Sequence, residues 1–236
     1  MPGVTTQRPA VSVLVDLEGW PEDTLRFLAA LERYPPAVTP QVVVADRTGG
    51  GAAGFSDVGL TIDLPAGTGF GAARNAALRR ATGDVVVLVD TSVEPTGDLF
   101  GPLVEALADP AVAVAGPFGL VTDNLYDYRE QVTGEVAAVQ GYCLAARRAD
   151  LLAVGGVRET FVYYRNADID LSFRLRTLSD RPGRAVALGA ERCARHCHRA
   201  WEVTAVDDRD RLSRRNFGKI MDKFRGRADL IVRPSA

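Results

Sequence analysis

The chain has 236 residues, is 47% hydrophobic and carries a formal net charge of -2. That length and apolar content suffice to bury one substantial core, so the whole of 1–236 reads as a single domain. The charge balance offers neither the basic excess of a nucleic-acid binder nor an acidic solvating tail, so no nucleic-acid partner is expected.

Residues 1–9 carry no apolar run and do not read as a signal peptide. Val11 to Asp16 is a valine-rich run of the kind buried on both faces of a sheet. Pro21, Glu22 and Asp23 open a helix, with proline and acids in its first turn. Its apolar face is read as Leu25, Phe27, Leu28 and Leu31, and Pro35-Pro36 stops it. Gln41 to Asp46 is a second buried strand, residues 47–54 form a glycine-rich loop, and Leu60 to Leu64 is a third strand. A glycine-rich turn from Gly67 leads into an alanine-rich helix ending near Ala81. Val85 to Asp90 is the most apolar strand, followed by a helix over Asp98 to Leu107 and a strand over Ala111 to Ala115. Strands alternating with helices predict a parallel, doubly wound α/β sheet.

The pattern changes after Gly116. Residues 117–140 have weak periodicity. A short strand and helix are expected over 141–156, an aromatic strand over Phe161 to Tyr164 and an amphipathic helix over Asp168 to Leu178. A short strand at Ala185 to Gly189 and a helix at Asn216 to Phe224 complete the reading. The chain divides at about 10–116, 117–205 and a charged tail over 206–236. No stretch approaches the roughly 20 apolar residues of a membrane span. Three cysteines, an odd count with Cys193 and Cys197 four apart, argue against a disulfide framework and for a reducing cytoplasm.

Asp16, Asp46 and Asp90 all fall at the C-terminal ends of expected buried strands. Ligands of open α/β sheets bind beyond those ends, where a carboxylate can meet hydroxyls, a base or a metal. A turn-capping role is the competing reading for each. The run Gly67-Thr68-Gly69-Phe70-Gly71 precedes a helix, and glycines such as Gly69 let backbone N–H groups approach a phosphate. Its spacing fails the dinucleotide fingerprint, and no P-loop is present. Arg74 and Asn75 are the polar residues of the helix that follows.

The order of these segments resembles the nucleotide-binding half of family 2 glycosyltransferases, which have the GT-A fold. The matching features are a strand ending in Asp46, then Gly-x-Gly-x-Gly-Ala-Ala-Arg-Asn, then Ala81-Thr82-Gly83-Asp84 and the strand to Asp90. Downstream, Gly141-Tyr142-Cys143-Leu144 and Gly155-Gly156-Val157 look like the family's acceptor-side segment. Asn166 to Arg174 looks like its Glu-Asp-x-Asp-Leu-x-x-Arg helix.

The resemblance implies a Rossmann-like, mostly parallel sheet and a soluble, inverting transferase that uses a UDP-, GDP- or dTDP-sugar. Asp16 and Asp46 would border the base and ribose, and Arg74 the base or diphosphate. Asp90 would be the first acid of the metal-holding Asp-x-Asp motif. Asp168 would be the general base, with Asp170 and Arg174 supporting its helix. His198, or failing that His196, would complete a Mn or Mg site. The acceptor is left open among glycan, lipid-linked, peptide and small-molecule hydroxyls, and a homodimer is left open too.

Two positions depart from the family pattern. Ser92 replaces the second motif acid, which puts the metal in doubt, and Ala167 replaces the glutamate before the base. They motivate an alternative, a degenerate GT-A domain that binds a nucleotide sugar or a protein partner without turnover. A nucleotidyltransferase is disfavoured, because the turn after the first strand is Leu17-Glu18-Gly19-Trp20. Cys193, His196, Cys197 and His198 are too tightly spaced to close one tetrahedral zinc site unaided. The basic run Arg209 to Arg215 reads either as a solvated helix face or as a segment that folds over the diphosphate, with Arg214 and Arg215 supplying charge.

Overall fold

The computed structural model describes residues 10–49, 59–180 and 182–234, so most of the expected 47–54 loop lies outside the described residues. The first half of the chain runs β1 (Val11–Leu17), α1 (Pro21–Arg33), β2 (Gln41–Asp46), β3 (Leu60–Asp63), α2 (Phe70–Arg80), β4 (Val85–Val89), β5 (Val93–Pro95), α3 (Gly101–Ala108) and β6 (Val112–Gly116). Four short strands follow: β7 (Gly119–Val121), β8 (Arg129–Gln131), β9 (Thr133–Val136) and β10 (Ala138–Val139). Then come β11 (Cys143–Arg147), α4 (Arg148–Ala153), α5 (Ala167–Arg176), β12 (Arg184–Leu188), β13 (Cys193–Arg195), α6 (Arg199–Val203) and α7 (Val206–Phe224).

The main sheet has the order β3-β2-β1-β4-β11-β6-β12-β9. Its first four strands are mutually parallel, but β11 runs antiparallel to β4 and β6, and β9 antiparallel to β12. The sheet is therefore mostly parallel rather than wholly so.

Strand alternation sorts the core into two layers. Leu14, Val43, Val86 and Leu88 face one way, toward the Ala73 and Ala77 side of α2 and toward Phe173 and Phe224 of α5 and α7. Val13, Val15, Val44 and Val87 face the other way, toward Phe27 of α1 and Phe100 and Leu103 beside α3. α1 and α2 thus lie on opposite faces, which opens a crevice at the C-terminal ends of β1 and β4.

Four local expectations are corrected. In α1, Leu25 is exposed, and the buried face is Thr24, Phe27, Leu28 and Ala30. Asp98 caps α3 from outside, its Oδ1 accepting from the amides of Phe100 and Gly101. Residues 161–164 form no strand, because the carbonyls of Phe161 and Val162 accept from the first amides of α2 instead of from a neighbouring strand. α5 is not amphipathic: nearly all of it is buried, and its internal charge is neutralised by the Asp170–Arg174 pair at 2.6 Å.

Candidate active site

Arg74 spans the crevice. Its Nη1 donates to the carbonyls of Leu14 at 2.8 Å and Val89 at 2.9 Å, tying the middle of β1 to the end of β4. The guanidinium lies over the Phe70 ring, is buried, and has no partner for its Nε. A buried cation with an unmet donor favours an anionic ligand.

Asp16 is buried on β1. Its Oδ1 accepts from Arg47 Nε at 3.0 Å and its Oδ2 has no partner. Burial pushes its carboxyl above the ordinary value, against the pull of Arg47 and Arg74. Asp46 sits one strand over. Its Oδ1 caps the turn after β2, accepting from the amide and hydroxyl of Thr48 at 2.7 and 2.6 Å, while Oδ2 is unpartnered.

The glycine run does not offer a row of free amides. The N–H groups of Phe70 and Gly71 donate to the carbonyls of Val162 and Phe161, at 3.2 and 2.9 Å. The glycines serve backbone approach: a Cβ on Gly71 would meet the Arg158 carbonyl at 2.2 Å, and one on Gly69 the Val162 Cα at 3.2 Å. Gly69 is the N-cap of α2.

Asp90 follows β4. Its Oδ1 accepts from the Ser92 amide at 2.8 Å and its Oδ2 meets His198 Nε2 at 2.8 Å. Burial alone would raise this carboxyl, but the hydrogen bond and charge of His198 outweigh it and hold it at about 2. His198 stands on a strap, residues 196–198, between β13 and α6. Its ring stacks on Tyr164 with centroids 4.1 Å apart. The strap is tied at both ends. Arg199 pairs with Glu22 and Asp23 at the start of α1, and Arg195 lies over the Phe118 and Tyr142 rings with a two-pronged contact to Glu130. His196 turns instead to Glu94 at 2.7 Å.

Asp168 occupies the second position of α5, after Asn166 in the left-handed conformation (φ 64°). An asparagine tolerates that backbone better than most residues. Asp168 Oδ2 accepts from the Gly141 amide at 2.9 Å and Oδ1 from the Ile169 amide at 3.0 Å. Burial still raises its carboxyl above the ordinary value. Asp170, fully buried, is held by Arg174 and by Arg158 at 2.9 Å.

A cavity of about 760 Å³ brings Arg74, Asp90, His198 and Asp168 together and extends to Tyr128 and Arg214. A second space of only about 20 Å³, walled by Asp16, Trp20 and Ser92, adjoins it across Arg74, Asp90 and His198. Asp46 and Gly69 line neither space, and Arg215 does not reach the large one. The aromatic and strap contacts of Tyr164, Trp201 and Arg199 had no signal in the spacing. The Gly141 amide was legible only as part of a Gly-Tyr-Cys-Leu segment.

The donor set bears on a divalent cation. Asp90 Oδ2 and His198 Nε2 face each other, and Ser92 Oγ is buried nearby without a hydrogen-bond partner. Among the described residues no group of three His, Cys, Asp or Glu side chains could hold a metal ion. These residues fit a hard cation that takes its remaining ligands from diphosphate oxygens and water, and not a closed protein cage.

Fold comparison finds the same architecture in solved glycosyltransferases. GalNAc-T7, solved with UDP, GalNAc and Mn2+, superposes with a TM-score of 0.69 at 12% identity, covering 92% of this chain and 48% of its own. The mannosyltransferase PcManGT of Pyrobaculum calidifontis, in complex with GDP-Man and Mn2+, gives 0.66 at 19% identity, covering 95% and 69%. TarS of S. aureus gives 0.56 at 14% identity, covering 92% and 44%. The chain thus spans about half the length of GalNAc-T7. A comparison with the curated proteins finds no match.

A large, mostly parallel central sheet flanked by helices, with the crevice at β1 and β4, is the GT-A glycosyltransferase fold. The glycosyl transferase family 2 model matches residues 26–169, more than half of the sequence, and the chain belongs to that family.

Proposed function

We propose that the protein moves a sugar from a nucleotide-diphosphate sugar to an acceptor hydroxyl in one displacement, with inversion at the anomeric carbon. One observation carries this reading. A single cavity holds an anion-seeking Arg74 and the strand-end Asp90 on one side, and on the other a carboxylate, Asp168, whose basicity burial raises.

Asp168 takes the proton of the acceptor hydroxyl as its oxygen bonds to the anomeric carbon. The bond from that carbon to the diphosphate breaks on the opposite face, and the nucleoside diphosphate leaves. Arg74 meets part of the developing charge. Asp90 and His198 would hold a Mn or Mg ion, which would neutralise the diphosphate. Asp16 and Asp46 would face the base and ribose, and Gly69 would bring the start of α2 close to the donor. UDP- and GDP-sugars are the first donors to try, since UDP and GDP-Man are bound in the two structural relatives, and dTDP-sugars come next. The free cysteines Cys143, Cys193 and Cys197 support a reducing, cytoplasmic setting. No helix among the described residues is long and apolar enough to cross a membrane.

The test is release of nucleoside diphosphate from a panel of donors. Asp168→Asn should lower turnover by about 10²–10⁴-fold while leaving donor binding in place. Equal turnover in that variant would remove Asp168 as base. Donor binding with no turnover in the unaltered protein would favour the second reading, a binding domain, to which Ser92 and Ala167 point.

A further inference from the structure

The second half of α7 concentrates positive charge in a chain whose net charge is -2. Residues 213–225 hold five basic residues, Arg214, Arg215, Lys219, Lys223 and Arg225, against one acid, Asp222. Arg215, Lys219 and Lys223 recur every four residues, so a helix places them on one flank with about 6 Å of rise between each. None of the three lines the cavity, and the middle one packs on Thr160 and Phe161. Lys219 Nζ donates to the Thr160 carbonyl at 2.7 Å and lies 5.0 Å from the Phe161 ring centroid.

Among the described residues, none of the three has an acidic side chain at ion-pair distance. Arg158 beside them does reach Asp170, but Arg174 already shares that carboxylate. The like charges crowd one another. Burial, then Arg215 and Arg158, lower Lys219, and burial, then Arg158 and Arg174, lower Lys223, with Asp170 pulling the other way on both. Such a stripe is relieved by an external anion with spaced charges.

We infer that Arg215, Lys219, Lys223 and Arg158 dock an extended polyanionic chain whose end serves as acceptor. This rests on the reading of the cavity as a transferase site. Arg214, next to Arg215 in sequence, lines that cavity and connects the stripe to it. A flat anionic membrane fits less well. No large apolar side chain is exposed on α7 beyond Val206, and the helix opens with exposed Asp207, Asp208 and Asp210.

The experiment measures binding of inorganic polyphosphate, of phosphatidylglycerol vesicles and of a single-stranded oligodeoxynucleotide, alongside nucleotide-sugar binding by thermal shift. Polyphosphate should bind best, and more weakly as salt rises. The triple change Arg215→Gln, Lys219→Gln and Lys223→Gln should weaken it by about tenfold or more. Asp222→Asn should strengthen it, and neither variant should alter the nucleotide-sugar shift. The idea is overturned if the triple variant binds polyphosphate like the unaltered protein, or if vesicles or the oligodeoxynucleotide bind more tightly. Failure of the unaltered protein to bind any nucleotide sugar would instead fault the transferase reading beneath it.

Discussion

Asp90 and His198 share one hydrogen bond, and that bond sets the acid behaviour of the carboxylate. Asp90 is held at about 2, below the ordinary aspartate value. A depressed acid stabilises the fold above its unfolded pKa, and that contribution is lost as the pH falls through roughly 4 to 2. The stability gap between the unaltered protein and Asp90→Asn, from urea unfolding at about pH 7 and about pH 2.5, should therefore shrink on acidification by on the order of 2 kcal/mol. A gap that stays constant would contradict the pairing. Asp168 shifts the other way, since burial favours its protonated form. As the proposed base it would work only once ionised, so the acidic limb of kcat/KM should lie above the ordinary carboxylate range. A limb at the ordinary value would count against this role. At this scale the strand-end acids Asp16 and Asp90 were legible because apolar runs mark where strands stop. The unpartnered Oδ2 of Asp16 and the stacking of Tyr164 on His198 were not, because they depend on which loops meet in space.

The elements explain why the glycine run resembled a phosphate cradle. In α2 the glycines let two backbones meet, with the amides of Phe70 and Gly71 bonded to the 161–162 carbonyls. Gly71→Ala would push a methyl into the Arg158 carbonyl and should cost about 1–3 kcal/mol, read as a lower urea midpoint at unchanged slope. An unchanged midpoint would mean that the 158–162 segment yields freely. The same contact defeats the strand expected at Phe161 to Tyr164. Four aromatic or β-branched residues in a row carry strand propensity, but their carbonyls bond to helices. α5 misled in a related way. Its alternating charges look like a solvated face, yet Asp170 and Arg174 neutralise each other inside the core at i,i+4 spacing. The short strands β7 to β10 escaped notice because each is too short for periodicity to show.

Across the whole molecule, α7 ties down the loop before α5. Asn216 Nδ2 donates to the carbonyls of Tyr163 and Arg165, the loop that carries Tyr164 and leads to Asp168. Asn216→Ala leaves both carbonyls without that donor and should cost about 1–3 kcal/mol by urea unfolding. Its absence of effect would show that α7 is not needed to hold the loop. The sequence marked only Asn216 to Phe224 as helix, since the first half of α7 is too polar to display an apolar face. The mostly parallel sheet followed from the family resemblance, but the strand pattern hid the direction of β11, which is buried and reads the same either way.

In the proposed reading the crevice at β1 and β4 receives a nucleotide sugar through Arg74, Asp90 and His198. The decisive measurement is a thermal-shift panel of UDP-, GDP- and dTDP-sugars, with and without manganese or magnesium, on the unaltered protein and Asp90→Asn. At about a hundredfold excess over Kd, the right donor should raise Tm by roughly 5–10 °C, and the gain should fall sharply in Asp90→Asn. A panel in which no nucleotide sugar moves Tm, or in which Asp90→Asn responds as fully as the unaltered chain, would rule out this site.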